Sequence, residues 1–381
     1  MKYTKEEKNN KPILIWDLPT RIFHWVLALS FTFAWLTYDD NRYLFAHVYA
    51  GYVFISLLLF RLVWGIIGSR YAQFRTFAYN WPSVQAYLKG LLTGQASRYI
   101  GHNPAGGWAI FVMLILGFIV SIAGILVLAG EEGHGPFKDY VPYAVGTFSK
   151  EIHEIFAWIM LAFTFIHVTG VVLESWFHKE NLTLSMITGK KESASELPAS
   201  KHRLLGSLLI IIISLSGLWY FKGYLLETED QLFVPFQGIA LPENEVWRTE
   251  CGDCHLSYYP VLLPARSWEK LLETQENHFD EDLSLDQESI LEIRTFLVTN
   301  SAESKLTEAA RKINASTPKN KTPIEVTKTA YWLKKHNDIN EEYWQSDLIK
   351  SKGNCEACHL DAKQGTFEDS GMRLPKLNKK K

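Results

Sequence analysis

Ile152-His153-Glu154-Ile155-Phe156-Ala157-Trp158-Ile159-Met160-Leu161-Ala162-Phe163-Thr164-Phe165-Ile166-His167-Val168-Thr169-Gly170-Val171-Val172-Leu173 is apolar over the roughly 20 residues that cross a bilayer, yet it carries two histidines. On a helix, the fourteen residues from His153 to His167 turn through about 1400°, some 40° short of four full turns, and rise by roughly 21 Å. Both imidazoles therefore leave one face of the helix, at two depths. Ionisable or metal-binding side chains are costly in hydrocarbon, and where they occur they mark function by default.

Four further runs of this kind lie in the first 221 residues, at about Ile22 to Tyr38, Ala46 to Ile67, Trp108 to Leu128 and Leu204 to Phe221. From Lys222 onward the chain is charged and reads as water-exposed. The mean hydropathy of −0.05 averages these two unlike halves. Lysines before the first run mimic a secretory leader. No small-residue cleavage site follows, however, and the run carries Trp16, Asp17, Arg21 and His24, which suits a retained span. His24 falls near the start of the first span and His47 near the start of the second. Depth then pairs His47 with His153 and His24 with His167, two sites suited to non-covalent b-type haems. Hydrogen bonding within the bundle is the competing reading.

Basic residues set the orientation. Lys2, Lys5, Lys8 and Lys11 precede the first span; Arg70, Arg75, Lys89 and Arg98 separate the second from the third; Lys179, Lys190, Lys191, Lys201 and Arg203 separate the fourth from the fifth. The opposite loops, with Asp39, Asp40, Arg42, Glu131, Glu132, Lys138, Asp139 and Lys150, have no positive excess. The N-terminus is expected in the cytoplasm and everything after Lys222 outside it, in the periplasm of a Gram-negative cell. Arg21 and Arg61, near the cytoplasmic ends of their spans, suit haem propionates, with snorkelling to the membrane surface as the alternative. His102, His134, His178 and His202 are expected to be solvated or to face headgroups. Gly51, Gly117 and Gly124 would admit a macrocycle or a neighbouring helix.

The outward segment holds every cysteine of the chain, in Cys251-Gly-Asp-Cys254-His255 and Cys355-Glu-Ala-Cys358-His359. Cys-x-x-Cys-His is the attachment motif of covalent haem c, whose vinyl groups take the two thiols while the histidine meets the iron. A zinc site or a disulfide pair is the plainer alternative. Only four histidines follow Lys222, namely His255, His278, His336 and His359. Two haems with two axial positions each would use them all, with His278 assigned to the first haem and His336 to the second. Crossed-over ligands, or Met372 on one haem, remain open. Helices are expected at Trp268 to His278 and Gln287 to Val298, a helical turn or two at Lys305 to Ile313, and a surface loop over Asn300 to Pro323. Acidic residues outnumber basic ones fifteen to four from Lys222 to Ile290, whereas basic residues lead seventeen to twelve beyond. Lys379, Lys380 and Lys381 read as a disordered tip.

Trp16-Asp-Leu-Pro-Thr-Arg21-Ile-Phe-His24-Trp25, Arg61-Leu-Val-Trp64-Gly65-Ile-Ile-Gly68, Gly101-His-Asn-Pro104-Ala-Gly106 and the helix from His153 to His167 together resemble the prokaryotic cytochrome b561 family, which includes the b-type subunits of nickel-iron hydrogenases. The resemblance implies a four-helix bundle that holds two b haems and exchanges electrons with quinone. It carries the ligand role onto His24, His47, His153 and His167. From about Leu241 to Pro375, the two haem pentapeptides, Leu262-Leu-Pro264-Ala-Arg-Ser-Trp268, Asn277-His278-Phe279 and Trp332-Leu-Lys-Lys-His336 resemble a dihaem cytochrome c domain.

The expected fold is an all-α membrane protein: a four-helix haem-binding bundle (residues 12–190), a linker and fifth transmembrane helix (191–223), and a mainly helical, loop-rich dihaem domain (224–381). The expected function is electron relay between the quinone pool and a periplasmic redox partner in the bacterial inner membrane, an activity that could extend to quinol:cytochrome oxidoreduction. No nucleophile-base motif or nucleotide-binding glycine loop stands out, and no nucleic-acid partner is expected. Two other readings are a b-haem oxidoreductase acting directly on a small substrate such as superoxide, and the membrane anchor of a periplasmic dehydrogenase or hydrogenase.

Overall fold

The computed structural model describes residues 11–193, 197–228 and 231–377. Lys2, Lys5 and Lys8, which entered the orientation argument, and the terminal Lys379, Lys380 and Lys381 lie outside the described residues. The helices are α1 (Leu18–Leu36), α2 (Leu44–Ile67), α3 (Trp81–Leu92), α4 (Pro104–Gly130), α5 (Tyr143–His178), α6 (Leu182–Thr188), α7 (Arg203–Leu225), α8 (Glu245–Glu250), α9 (Ala265–Glu273), α10 (Gln287–Thr299), α11 (Glu308–Ser316), α12 (Ala330–His336) and α13 (Glu341–Trp344). The strands β1 (Lys11–Leu14) and β2 (Lys190–Ser193) pair antiparallel, with Lys11 opposite Ser193 and Leu14 opposite Lys190.

The chain forms two compact units. The first takes residues up to Tyr38, Ala46–Val127 and Phe148–Leu225; the second takes Asp39–Phe45, Leu128–Thr147 and everything from Leu226. Helices α2, α4, α5 and α7 are long and apolar enough to cross a membrane. They cover the expected second to fifth spans and extend most of them by a turn or more. Helix α1 stands where the first span was expected, but Pro19, Thr20, Arg21 and His24 dilute its apolar run.

In the first unit, local chemistry explains the segment from Trp16 to Arg21. Asp17 is buried and accepts from the Thr20 amide at 2.8 Å, capping α1. Trp64 donates to the other oxygen of the same carboxylate at 3.2 Å, tying the start of α1 to the end of α2. Pro19 sits in the first turn, where its missing N–H costs nothing. The centre of the bundle is filled by Phe54, Leu58, Leu114, Leu116 and Met160. On α5 and α7, large apolar side chains such as Phe165, Ile166, Ile211 and Leu215 are exposed, as on a helix whose solvent is lipid.

The second unit is built around Trp247, Val261, Leu263, Trp268, Ile293, Leu297 and Ile313. Full burial of one such aliphatic side chain is worth about 1.5–3 kcal/mol. Here two expectations are corrected. The segment from Asn300 to Pro323 is no surface loop, because α11 runs through it and Ala302, Ala309, Ala310 and Ile313 enter the core. The helix expected from Trp268 to His278 ends at Glu273, and His278 lies in a separate tight turn.

Helix α11 also meets the loop that follows α4. Lys312 lies 3.5 Å from Glu131 and 3.7 Å from Glu132 and is bonded to Glu308, which is 1% exposed. Burial lowers the Lys312 pKa, but Glu308 and Glu132 outweigh it and keep the ammonium charged, while burial and the neighbouring Glu132 and Asp369 push Glu308 itself up to about 8.

Candidate functional site

All eight histidines proposed as ligands face one another in pairs. In the first unit, the ring centres of His47 on α2 and His153 on α5 are 6.0 Å apart, and those of His24 on α1 and His167 on α5 are 6.3 Å apart. In the second unit the separations are 6.3 Å for His255 and His278 and 6.1 Å for His336 and His359. A ring nitrogen binds a first-row metal ion at about 2 Å and its ring centre lies ~1 Å further back, so two imidazoles on opposite sides of one ion have centres about 6 Å apart. All four pairs stand at that spacing.

The tautomers suit ligation as well. Nδ1 of His47 and of His153 donates to the backbone oxygen of Ala34 and of Val120, each at 2.9 Å. Nδ1 of His255 and of His336 does the same to Leu256 at 2.7 Å and Trp332 at 2.8 Å. A carbonyl only accepts, so Nδ1 carries the proton and Nε2 keeps the lone pair that a metal takes. In the first unit there is also room beside the rings. Gly51 and Gly170 lie one turn beyond His47 and His167, and a Cβ at either would meet no atom within 4 Å. A Cβ at Gly124 would come 3.0 Å from the His153 ring. Gly117 lies against Phe54 and Leu58, which helix packing accounts for.

Arg61 is 4% exposed and does not snorkel. Its guanidinium lies 4.6 Å from the centre of the Phe74 ring and 5.7 Å from that of Phe77, and its Nη1 is buried without a hydrogen-bond partner. An unused donor in an aromatic enclosure fits an anionic group such as a propionate. Arg21 donates to the Ile187 carbonyl at 2.6 Å, while its Nε is likewise buried and unpartnered.

Around the second-unit pairs all four cysteines are free thiols, and burial pushes Cys251 and Cys355 up to about 11. Trp332 stacks on His336 with ring centres 4.3 Å apart and planes 14° apart. Sequence reasoning gave Trp332 no role of its own, although its spacing of one helical turn from His336 held the signal.

Two other histidines are placed differently from expectation. His102 packs its ring 4.4 Å from Phe77 and 4.7 Å from Trp16, with Nδ1 sealed from solvent; burial lowers its pKa to about 3. His134 is no solvated loop residue, because its Nε2 lies 2.7 Å from Glu368 and its ring stacks on Phe236. His202 packs edge-on against Trp64 but stays exposed, as expected, and Nε2 of His178 is buried. For His102 and His134, partners distant in sequence supply the burial.

Fold and site together define a helical membrane cytochrome. More particularly, residues 15–189 match the model of the prokaryotic cytochrome b561 family and residues 247–367 that of the dihaem cytochrome c family. Among curated relatives, the probable Ni/Fe-hydrogenase B-type cytochrome subunit of Azotobacter chroococcum mcd 1 is 26% identical over 220 residues, 49% of this chain and 91% of its own. The probable Ni/Fe-hydrogenase 1 B-type cytochrome subunit of Escherichia coli (strain K12) is 25% identical over 224 residues, 50% of this chain and 94% of its own. Among solved structures, a dihaem cytochrome c from Rhodobacter sphaeroides is 34% identical, matching 34% of this chain and 100% of its own, with a TM-score of 0.30. Membrane electron transfer is the activity to which these regions belong.

Proposed function

We propose that the chain relays electrons between the membrane quinone pool and a periplasmic redox protein through two b haems and two c haems. The observation that carries this reading is the set of four facing histidine pairs, each at the spacing that one iron between two imidazoles requires. His47 with His153 and His24 with His167 hold the b haems. His255 with His278 and His336 with His359 complete the c haems attached at Cys251 and Cys254 and at Cys355 and Cys358. Arg61, joined by Arg21, neutralises propionate charge at the inner, His24–His167 site. Bound haem iron supplies one-electron chemistry; the protein's part is to fix axial ligands, spacing and electrostatics. Residues 12–190 form the membrane module, 191–223 the linker with a fifth span, and 224–381 the periplasmic module, with the N-terminus in the cytoplasm and the whole seated in the inner membrane.

The test is reduction of the c haems by a water-insoluble quinol in proteoliposomes. Reduction that requires quinol, and stops when His24 or His167 is replaced by alanine, supports the relay. A chain that binds two b haems yet is never reduced by quinol would overturn the quinone end of the reading. The names of the curated relatives favour a second reading, a cytochrome subunit that takes electrons from a hydrogenase. Co-purification of a large hydrogenase subunit would decide for it.

A further inference from the structure

The two histidine pairs of the second unit differ in surroundings. His336 is flanked by Trp332 and Trp344, and His359 lies beside Phe367 with its Nδ1 sealed. By contrast, Cys254 and His255 are exposed. His278 lies in a turn closed by two backbone bonds with Glu281, at 2.7 and 3.2 Å. At the tip, Phe279 and Asp280 take positive φ angles of 54° and 73°. The Phe279 ring stands 4.8 Å from that of His278 and is 52% exposed.

Six exposed carboxylates, Glu250, Asp253, Glu276, Asp280, Glu281 and Asp282, are close in sequence to this pair. No lysine or arginine occurs between Arg248 and Arg266 or between Lys270 and Arg294. Of the cations that bound these gaps, Arg248 is matched by Glu243 at 2.6 Å and Lys270 by Glu273 at 3.9 Å, while Arg294 is exposed. Near the other pair the charges are mixed, with exposed Glu341 and Glu342 alongside Lys334, Lys350 and Lys352.

We infer that the His255–His278 face is the docking surface for a soluble redox protein whose own cofactor edge is ringed by lysine and arginine. The inference rests on the relay proposed above and names the partner at its outer end. One electron leaves the reduced chain and enters the oxidised partner, with no bond made or broken. The acidic field steers encounter. Phe279 supplies an apolar centre within a polar rim, the usual anatomy of a specific contact.

The test uses the full-length protein in detergent, reduced with dithionite, freed of excess reductant, and mixed in stopped flow with oxidised cationic cytochrome c. The second-order rate constant should fall at least about tenfold as salt rises from roughly 10 to 200 mM, because screening shortens the reach of the field. The triple substitution Asp280→Asn, Glu281→Gln and Asp282→Asn should lower it about tenfold at low salt. It should also accelerate oxidation by ferricyanide, a trianion. The changes conserve the turn: asparagine tolerates the positive φ at 280 and keeps the acceptor for the Ser284 amide at 282. The control Glu341→Gln with Glu342→Gln should leave the rate unchanged. A salt-independent rate, or equal loss in both variants, overturns the docking surface alone. A wild-type chain that carries no c haem overturns the relay itself.

Discussion

Replacing His153 with alanine is the sharpest probe of the paired-histidine reading. The substitution removes one of two imidazoles whose ring centres are 6.0 Å apart, leaving His47 hydrogen-bonded to Ala34 with no ring opposite it. The other membrane pair lies roughly 21 Å along the helix axis from position 153 and shares no side chain with the first. One of two b haems should therefore be lost and both c haems kept. A pyridine haemochrome spectrum, which separates b-type from c-type haem, should move from a b:c ratio of 1:1 to 1:2. Quinol-dependent reduction of the c haems should fall to the rate without quinol, while dithionite still reduces them. Added imidazole should restore part of the lost b haem, because the alanine leaves a space of the right size. The exposed neighbour Glu154→Gln should behave as wild type. If the ratio stayed at 1:1 in the His153 variant, the pairing by depth would be wrong.

Other outcomes follow from the same structure. Arg61→Leu should weaken retention of the inner b haem about tenfold or more, as expected for a lost charge-assisted hydrogen bond, and Arg61→Lys should lose less; haem loss to apomyoglobin measures both. Lys312→Met leaves Glu308 buried without its cation, a loss of about 3–5 kcal/mol that corresponds to a fall of roughly 6–20 °C in melting temperature. Visible circular dichroism of the c haems would follow it, and an unchanged melting point would refute the ionic account of α11. For Glu243, burial raises the carboxyl pKa, but the hydrogen bonds from Arg248 and Tyr259 prevail and hold it below the ordinary 4.5. A depressed folded pKa stabilises above the unfolded value, and that stabilisation disappears as pH falls through the folded value. The wild-type advantage over Glu243→Gln should therefore shrink below about pH 4.5 in melting curves taken from pH 6 to 3.

The membrane helices could be read from the chain because an apolar run of bilayer length is a local property, and so could the shared face of His153 and His167, which needs only the helical repeat. The cysteine motifs are likewise five residues long and self-contained. What stayed hidden depends on contacts distant in sequence. The partner of His134 is 234 residues away, and no local pattern announces it. His102 looked like a loop residue because its enclosure is built by Trp16 and Phe77. Helix α11 falls where a helical turn or two is expected at Lys305 to Ile313, but its burial was not legible, since Glu308, Ala309 and Ala310 look polar or small and only the packing around them makes them core. Sequence alone leaves Arg61 as a propionate partner or a snorkelling side chain, and its burial beside Phe74 and Phe77 is a contact no local pattern announces.

The second unit draws on three separate stretches, Asp39–Phe45, Leu128–Thr147 and the chain from Leu226 onward. Synthesis runs from the N-terminus, so the ribosome releases the two short stretches long before the haem-binding tail. Glu131 and Glu132 are thus made before Lys312 exists to meet them. The tail matures against a surface already laid down, and a secreted fragment starting after α7 would be made without it. Such a fragment would present Lys312 and His134's partner Glu368 to water, and would be a poor stand-in for the tail of the whole protein.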